Sequence, residues 1–357
     1  LYAYRLNGGG AKAANTFCTA KYTGTAGNKL YVVIAANADS ASMFDVSLYY
    51  DTTLLDAQTV AAATALKDND FVTWKTNATL EVTTKTALSG GTNGTANAAA
   101  HQAALDKFES YSFNTLGCPT DDTTTAKLYM NYTKRMRDEV GAKFQTVIFN
   151  LSTNAKIADY EGVIEVASKA TDYPSNVAGI GQYALVYWVT GASAGCAVNK
   201  SNTNKKYDGE LSIDVDKTQA DLAADIEAGR FVMHNVNGDV RVLEDINSLT
   251  TTSETKGDIF KNNQTIRVCD QIANDAAVLF NTRYLGVVAN DAAGRISLWN
   301  DICKLHQALE NIRAIENFEP DSVTVEQGET KRSVLCTIKD LNIINAMEQL
   351  YMSIVIM

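Results

Sequence analysis

The chain has 357 residues, with 31 Lys and Arg against 41 Asp and Glu, a formal net charge of −10 when its three histidines are neutral. That length gives room for two or three domains burying their own cores without disulfides, and 46% apolar with 20% charged residues is a globular composition. A negative balance without a Lys/Arg cluster excludes a nucleic-acid duplex as partner, because neutralised phosphates supply most of that affinity.

The longest apolar runs, residues 30–36 and 183–189, fall far short of the roughly 18 residues that span a bilayer, so no membrane anchor is expected. Cys18, Cys118, Cys196, Cys269, Cys303 and Cys336 are scattered with no CxxC pair, which fits reduced thiols and excludes a zinc ribbon. No charged-then-apolar leader follows Leu1, so no signal peptide is expected, and the natural chain is expected to begin further upstream.

Taken in chain order, residues 1–15 read as the end of an N-terminal segment in which Gly8, Gly9 and Gly10 allow a turn or a tight contact. Residues 16–88 read as a β-sandwich module. Phe44, Val46, Leu48 and Tyr50 alternate with Asp45, Ser47 and Tyr49, the period of a half-buried strand, and further strands are expected at 30–35, 54–60, 71–74 and 79–84. The polar run from Ser89 to Gly94 marks a boundary.

Residues 89–248 alternate helix and strand, the texture of a layered α/β domain. Ala104, Phe108 and Tyr111 recur at helical spacing, residues 112–116 could form a strand, and Leu128, Tyr132, Met136 and Val140 line a helix that Gly141 can end. Residues 144–149 and 162–166 read as buried strands. Thr218 with Asp221 predicts a capping box on a helix that buries Leu222 and Ile226 and stops at Gly229. Asn237-Gly238 between residues 231–236 and 240–243 predicts a type I′ hairpin.

Residues 249–357 read as an α+β domain. Ile272, Ala276 and Phe280 mark one helix before Gly286, and Leu298, Ile302, Leu305, Leu309 and Ile312 stripe another. Residues 333–338 and 350–356 are strand-like. The apolar strand Leu350, Tyr351, Met352, Ser353, Ile354, Val355 and Ile356 should either pair in its own sheet or be offered to another chain.

Residues 191–195, Gly-Ala-Ser-Ala-Gly, match the G-x-S-x-G nucleophile elbow, which would suggest an α/β or subtilisin-like serine hydrolase using Ser193 with His234 or His306 and an aspartate. An elbow needs a helix next, and the polar run from Asn199 to Asn204 follows instead, so we read close helix packing through small residues. Gly179-Ile180-Gly181-Gln182-Tyr183-Ala184 matches G-x-G-x-x-A without a leading strand or the acidic residue about 20 positions on. His101, His234 and His306 have no second ligand at helical or hairpin spacing, so no metal or cofactor is expected. Asp245, Asp270 and Asp291 read as helix caps rather than acid–base pairs, and residues 250–255 as a solvated loop.

One collinear series spans essentially the whole chain: Arg5-Leu6-Asn7-Gly8-Gly9, Gly27-Asn28, Gly90-Gly91-Thr92-Asn93-Gly94, Asp159-Tyr160-Glu161-Gly162-Val163, Asp245-Ile246-Asn247-Ser248-Leu249-Thr250, Arg267-Val268-Cys269-Asp270, Asn290-Asp291 and Ala346-Met347-Glu348-Gln349-Leu350-Tyr351. It resembles the tail sheath proteins of contractile phages, in particular the sheath protein of defective phage-like elements in Gram-positive bacteria. The resemblance implies a β-sandwich module, a catalytically silent central α/β domain of subtilisin-like layout and a C-terminal α+β domain. It implies a structural protein without cofactor, stacked as hexameric rings around a tail tube, contracting to drive that tube through a cell envelope. Its implied partners are other sheath subunits, the tube, baseplate and tail terminator proteins, in a virion tail assembled in the bacterial host cytoplasm. In such proteins terminal arms of neighbouring subunits complete a shared sheet; here residues 350–356 are the candidate, and an upstream arm with part of the first domain is expected before Leu1.

Overall fold

The computed structural model describes residues 1–152, 155–173 and 180–355, which divide into two compact units, Leu1–Tyr111 and Ser112–Met357. Among the described residues no helix is long and apolar enough to cross a membrane.

The first unit is built on strand alternation. Strands β1 (Lys12–Ala14), β2 (Cys18–Thr23), β3 (Leu30–Ala36), β4 (Phe44–Tyr50), β5 (Thr53–Val60), β6 (Val72–Trp74) and β7 (Thr83–Ala87) form two antiparallel sheets, ordered β5-β4-β3-β7 and β1-β2-β6. The period of two buries Leu30, Val32 and Ile34 on β3 directly opposite Tyr50, Leu48 and Val46 on β4. Tyr31 and Tyr49 stack on the other face with ring centroids 5.1 Å apart. One apolar cluster draws on both sheets, joining Val32, Ile34, Val46 and Leu48 to Cys18, Val72 and Trp74. The strand expected at 79–84 sits later, as β7: Leu80 is buried and Val82 exposed outside any strand, while β3 offers its open edge to Thr83, Thr86 and Ala87 across a bulge between Val32 and Ile34.

The glycines before and after this module meet each other. Gly94 N donates to Asn7 O at 2.8 Å, and a Cβ on Gly10 would lie 1.8 Å from Thr92 O. Asn28 donates to Gly91 O and accepts from Gly91 N, both at 2.8 Å, and Arg5 Nη2 donates to Thr23 O at 2.6 Å. Helix α1 (Ala98–Phe108) follows, capped by Asn97 accepting from Ala100 N. Tyr111 lies beyond it.

The second unit opens with β8 (Thr115–Gly117), α2 (Thr123–Arg135), β9 (Gln145–Phe149), β10 (Val163–Val166), α3 (Leu185–Ala194), α4 (Gln219–Glu227), β11 (Arg230–Phe231), β12 (Met233–Val236) and β13 (Asp239–Val242). Strands β11-β10-β9-β8 form a parallel sheet, and β9 and β10 are buried along their whole length, as a sheet covered on both faces requires. Helix α2 runs through a π turn at Met136–Val140 and ends at Gly141, which adopts φ +90. Its buried stripe is Tyr129, Tyr132, Thr133 and Met136 rather than one through Leu128 and the exposed Val140. The Thr218–Asp221 capping box is present in both directions on α4. In the β12–β13 hairpin Asn237 and Gly238 both take positive φ, 53 and 90, as a type I′ turn demands.

Helices α5 (Asn263–Leu279) and α6 (Ala292–Asn311) come next, with β14 (Ile315–Glu316), β15 (Val323–Gln327), β16 (Val334–Ile338) and β17 (Asn342–Ile343). On α6 the buried stripe is Leu298, Ile302, Cys303, His306 and Leu309, whereas Ile312 is exposed past the helix end. β16 pairs with β15, which half-exposed polar residues hid in the sequence.

We predict that Gly10→Ala destabilises the chain by about 1–3 kcal/mol, the cost of forcing extra volume into a packed contact. Gly9→Ala, where an added Cβ meets nothing within 4 Å, should stay near wild type; chemical denaturation of the two variants compares them.

Candidate functional site

Helix α5 carries a polar stripe at the spacing normally reserved for a core face: Asn263, Arg267, Asp270 and Asn274, separated by 4, 3 and 4 residues. Each member bonds to the α/β layer. Arg137, placed by the π turn after α2, donates from Nη1 and Nη2 to Asp270 at 2.6 and 2.8 Å, and from Nη1 to Phe144 O at 2.6 Å. Arg267 Nη2 donates to Asp245 at 2.6 Å; Asp245, fully buried, also accepts from Asn202 N at 2.8 Å and Asn263 Nδ2 at 2.9 Å. Asn263 Oδ1 accepts from Gln145 Nε2 at 2.8 Å, and Asn274 Nδ2 donates to Lys143 O at 2.9 Å. The two buried ion pairs therefore join α5 to the π turn after α2 and to the segment after β13, and the amides join it to β9 and the loop before it. Asp245 and Asp270, expected as helix caps, are ion-pair partners; Asp291 does cap, accepting from Gly294 N at 2.8 Å on α6.

A second set of bonds lies beside this seam. Ser248 N donates to Val163 O at 2.8 Å and Ser248 Oγ to Tyr160 O at 3.0 Å, while Thr250 N and Thr251 Oγ1 donate to Asp159 at 2.7 and 2.5 Å. Burial alone would raise the Asp159 carboxyl, but the hydrogen bonds from Thr251 and Thr250, helped by Lys156, lower it to about 2. Gly162 is required by close approach, since a Cβ there would lie 2.6 Å from Arg137 Cδ.

The hydrolase constellation does not form. Ser193 lies within helix α3 instead of on a strand-to-helix turn, and its buried Oγ bonds to nothing. His306 stacks on Phe318 with Nδ1 2.9 Å from Ile302 O, and His234 sits on β12, where burial and Arg241 lower its pKa. His101 belongs to α1 of the other unit. Among the described residues no three His, Cys, Asp or Glu side chains could hold a metal. The close packing expected at Gly191 falls elsewhere: a Cβ at Gly191 meets nothing, whereas one at Gly117 would lie 2.7 Å from Thr190 Oγ1 on α3. Gly179 lies outside the described residues.

The start of α5 also roots the segment that follows β17. Gln264 Nε2 donates to Ile344 O at 2.9 Å and its Oε1 accepts from Ala346 N at 3.0 Å. Thr265 Oγ1 donates to Asn345 Oδ1 at 3.2 Å, and Thr203 Oγ1 to Glu348 at 2.9 Å. Beyond Glu348 the hold stops. Among the described residues, 350–355 pair with no strand, and Leu350, Tyr351, Met352, Ile354 and Val355 are 74–88% exposed. Over the described residues 350–355 no strand is formed, and no neighbouring strand satisfies their backbone; Ser353 is exposed too, and Ile356 lies outside the described residues.

Removing one partner of a buried ion pair strands the other charge. Arg137→Met should cost about 3–5 kcal/mol in chemical denaturation, and Arg137→Met with Asp270→Leu should recover most of it. For Asp159 the folded carboxyl titrates near 2 against 3.8, so its contribution is full above pH 3.8 and is lost as pH falls through 2. The Tm gap between wild type and Asp159→Asn should accordingly close as pH drops from 5 to 2.

Comparison with known proteins covers nearly the whole chain. The family models for the phage tail sheath protein β-sandwich domain, central domain and C-terminal domain match residues 7–93, 94–248 and 255–357. The sheath tail protein of Desulfitobacterium hafniense superposes with a TM-score of 0.81 at 34% identity, covering 91% of this chain and 77% of that one. The phage-like element PBSX protein XkdK of Bacillus subtilis is 30% identical over 302 residues, 76% of this chain and 62% of XkdK. This chain spans about three fifths of the length of such curated relatives. The helical sheath of the anti-feeding prophage in its contracted state shares the fold, with a TM-score of 0.58 at 12% identity over 75% of this chain and 78% of that one. The resemblance carried by the signature residues is therefore a family relation, and the family is structural rather than enzymatic: this chain belongs to the phage tail sheath proteins.

Proposed function

We propose that this chain is the repeating subunit of a contractile tail sheath, stacked as hexameric rings around a tail tube and contracting to drive the tube through a cell envelope. The observation that carries the reading is the apolar segment with a clamped root: Asn345 and Ala346 are bonded to α5 and Glu348 to Thr203, and beyond them Leu350, Tyr351, Met352, Ile354 and Val355 are largely exposed. Such a segment is suited to strand addition, in which main-chain hydrogen bonds give the affinity and alternate side chains fill pockets. Leu350, Tyr351, Met352, Ser353, Ile354, Val355 and Ile356 would form the added strand. A fitting acceptor is the β15–β16 ribbon, whose outer edges carry no partner among the described residues and which exposes Leu335.

Strand exchange suits a contracting lattice because a flexible main-chain link survives large rigid-body motion of the bodies it joins, whereas a flat side-chain interface would have to break and reform. The seam on α5 keeps the root of the link fixed to the body that moves. Other sheath subunits, the tube, baseplate and tail terminator proteins are the partners, in a virion tail assembled in the bacterial host cytoplasm. The parallel sheet β11-β10-β9-β8 with α2, α3 and α4 is read as a subtilisin-like layout that supports contacts and performs no chemistry.

Truncation after Gln349 tests the link. The full chain should self-associate with rising concentration and give rings or tubes in negative-stain microscopy, while the truncated chain keeps its circular dichroism spectrum and remains monomeric. Normal tubes from the truncated chain would refute the strand assignment.

A further inference from the structure

Three Asn-Gly dipeptides occur in the chain: Asn7-Gly8, Asn93-Gly94 and Asn237-Gly238. In each, the glycine carries no side chain to hinder the approach of its amide nitrogen to the asparagine Cγ, so all three are chemically open to ring closure. What separates them is where that nitrogen's hydrogen goes. Gly94 N donates to Asn7 O at 2.8 Å, and Gly238 N to Asn235 Oδ1 at 2.9 Å. Gly8 lies outside any helix or strand, and among the described residues its N–H finds no acceptor. A bonded N–H must give up its partner before the nitrogen can lose its proton and turn on Cγ; the Gly8 nitrogen is under no such hold.

The carbon to be attacked is prepared as well. Arg5 Nε donates to Asn7 Oδ1 at 3.1 Å, and Arg5 is itself fixed by the bond from Nη2 to Thr23 O at 2.6 Å. A cation on that oxygen draws electrons from Cγ and meets the negative charge that develops on Oδ1 as the carbon becomes tetrahedral. Asn93 Oδ1 accepts instead from the neutral backbone N–H of Thr25, at 3.2 Å. Asn7 and Gly8 are both partly exposed, so solvent base and water reach them.

We propose that Asn7 is a deamidation site of the folded chain, activated by Arg5. The Gly8 nitrogen gives its proton to solvent base and bonds to Asn7 Cγ; the Cγ–Nδ2 bond breaks and ammonia leaves, closing a succinimide. Water then opens the ring at either carbonyl, giving aspartate or isoaspartate, and nothing is oxidised or reduced. The position is a tie point, since Asn7 O is the acceptor of Gly94 N. Isoaspartate carries one more main-chain carbon, which draws that oxygen away and loosens the contact between the segments before and after the β-sandwich module. The inference is independent of sheath assembly.

Peptide mass spectrometry on the full chain held at pH 8 and 37 °C follows the one-dalton gain at each asparagine. Asn7 should convert about tenfold faster than Asn93 and Asn237, whose glycine nitrogens are released only by local opening. In concentrated urea the three rates should converge. Gly8→Ala, whose added Cβ would lie at an ordinary 3.5 Å from Arg5 O, should keep the wild-type circular dichroism spectrum and remove the lead of Asn7 by crowding the attacking nitrogen. Asn93 or Asn237 converting as fast as Asn7 in the folded chain, a lead unchanged in urea, or a lead kept by Gly8→Ala would overturn the proposal.

Discussion

Everything in the second unit turns on the face that α5 presents to the α/β layer. A helix there could have buried an apolar stripe; instead it buries Asn263, Arg267, Asp270 and Asn274, with two guanidinium–carboxylate pairs between them and the layer. Each charge taken out of water carries a large desolvation cost, met only when geometry and hydrogen bonding are both good. The bidentate Arg137–Asp270 pair and the three donors on Asp245 supply that geometry. Such an interface has one register: slipping α5 by a residue would leave ionised groups unpaired, whereas an apolar stripe would tolerate sliding. For a protein whose family builds mechanical sheaths, fixed register between these layers is the property to keep.

The same interface explains why the family signature reads as scattered polar and glycine motifs. Asp159, Tyr160, Gly162, Asp245, Ser248, Arg267 and Asp270 lie far apart in sequence, yet they bond to or pack on one another around the seam. Arg5, Asn7, Asn28, Gly91 and Gly94 do the same in the first unit. Motifs of the kind that elsewhere hold catalytic groups are here the stitching of a fold.

Elements governed by strong local rules are legible in the amino-acid sequence. The alternation of β3 and β4, the Thr218–Asp221 box, the Asn237-Gly238 turn and the Gly141 stop each follow from one or two residues whose backbone preference is decisive. What local rules do not give depends on distant partners. β7 starts at Thr83 because β3 has an open edge, and β15 is a strand because β16 pairs with it. Asp245 and Asp270 look like caps when read alone; their roles appear only when Arg267 and Arg137 arrive from elsewhere in the chain. The heptad spacing of 263, 267, 270 and 274 is a periodic signal of its own, carried by polar residues where a core stripe is ordinarily apolar. Residues 350–355 are the extreme case, since their pattern is that of a strand and, among the described residues, they pair with no other strand.

A rigid seam is thus joined to a free apolar segment, and hydrogen–deuterium exchange by mass spectrometry on the dilute and the assembled protein measures both together. Slow exchange is predicted over β9 and α5 in either state, and over residues 350–355 fast exchange when dilute with strong protection once assembled. Protection of residues 350–355 in the dilute monomer, or their continued fast exchange within assembled particles, would contradict this picture.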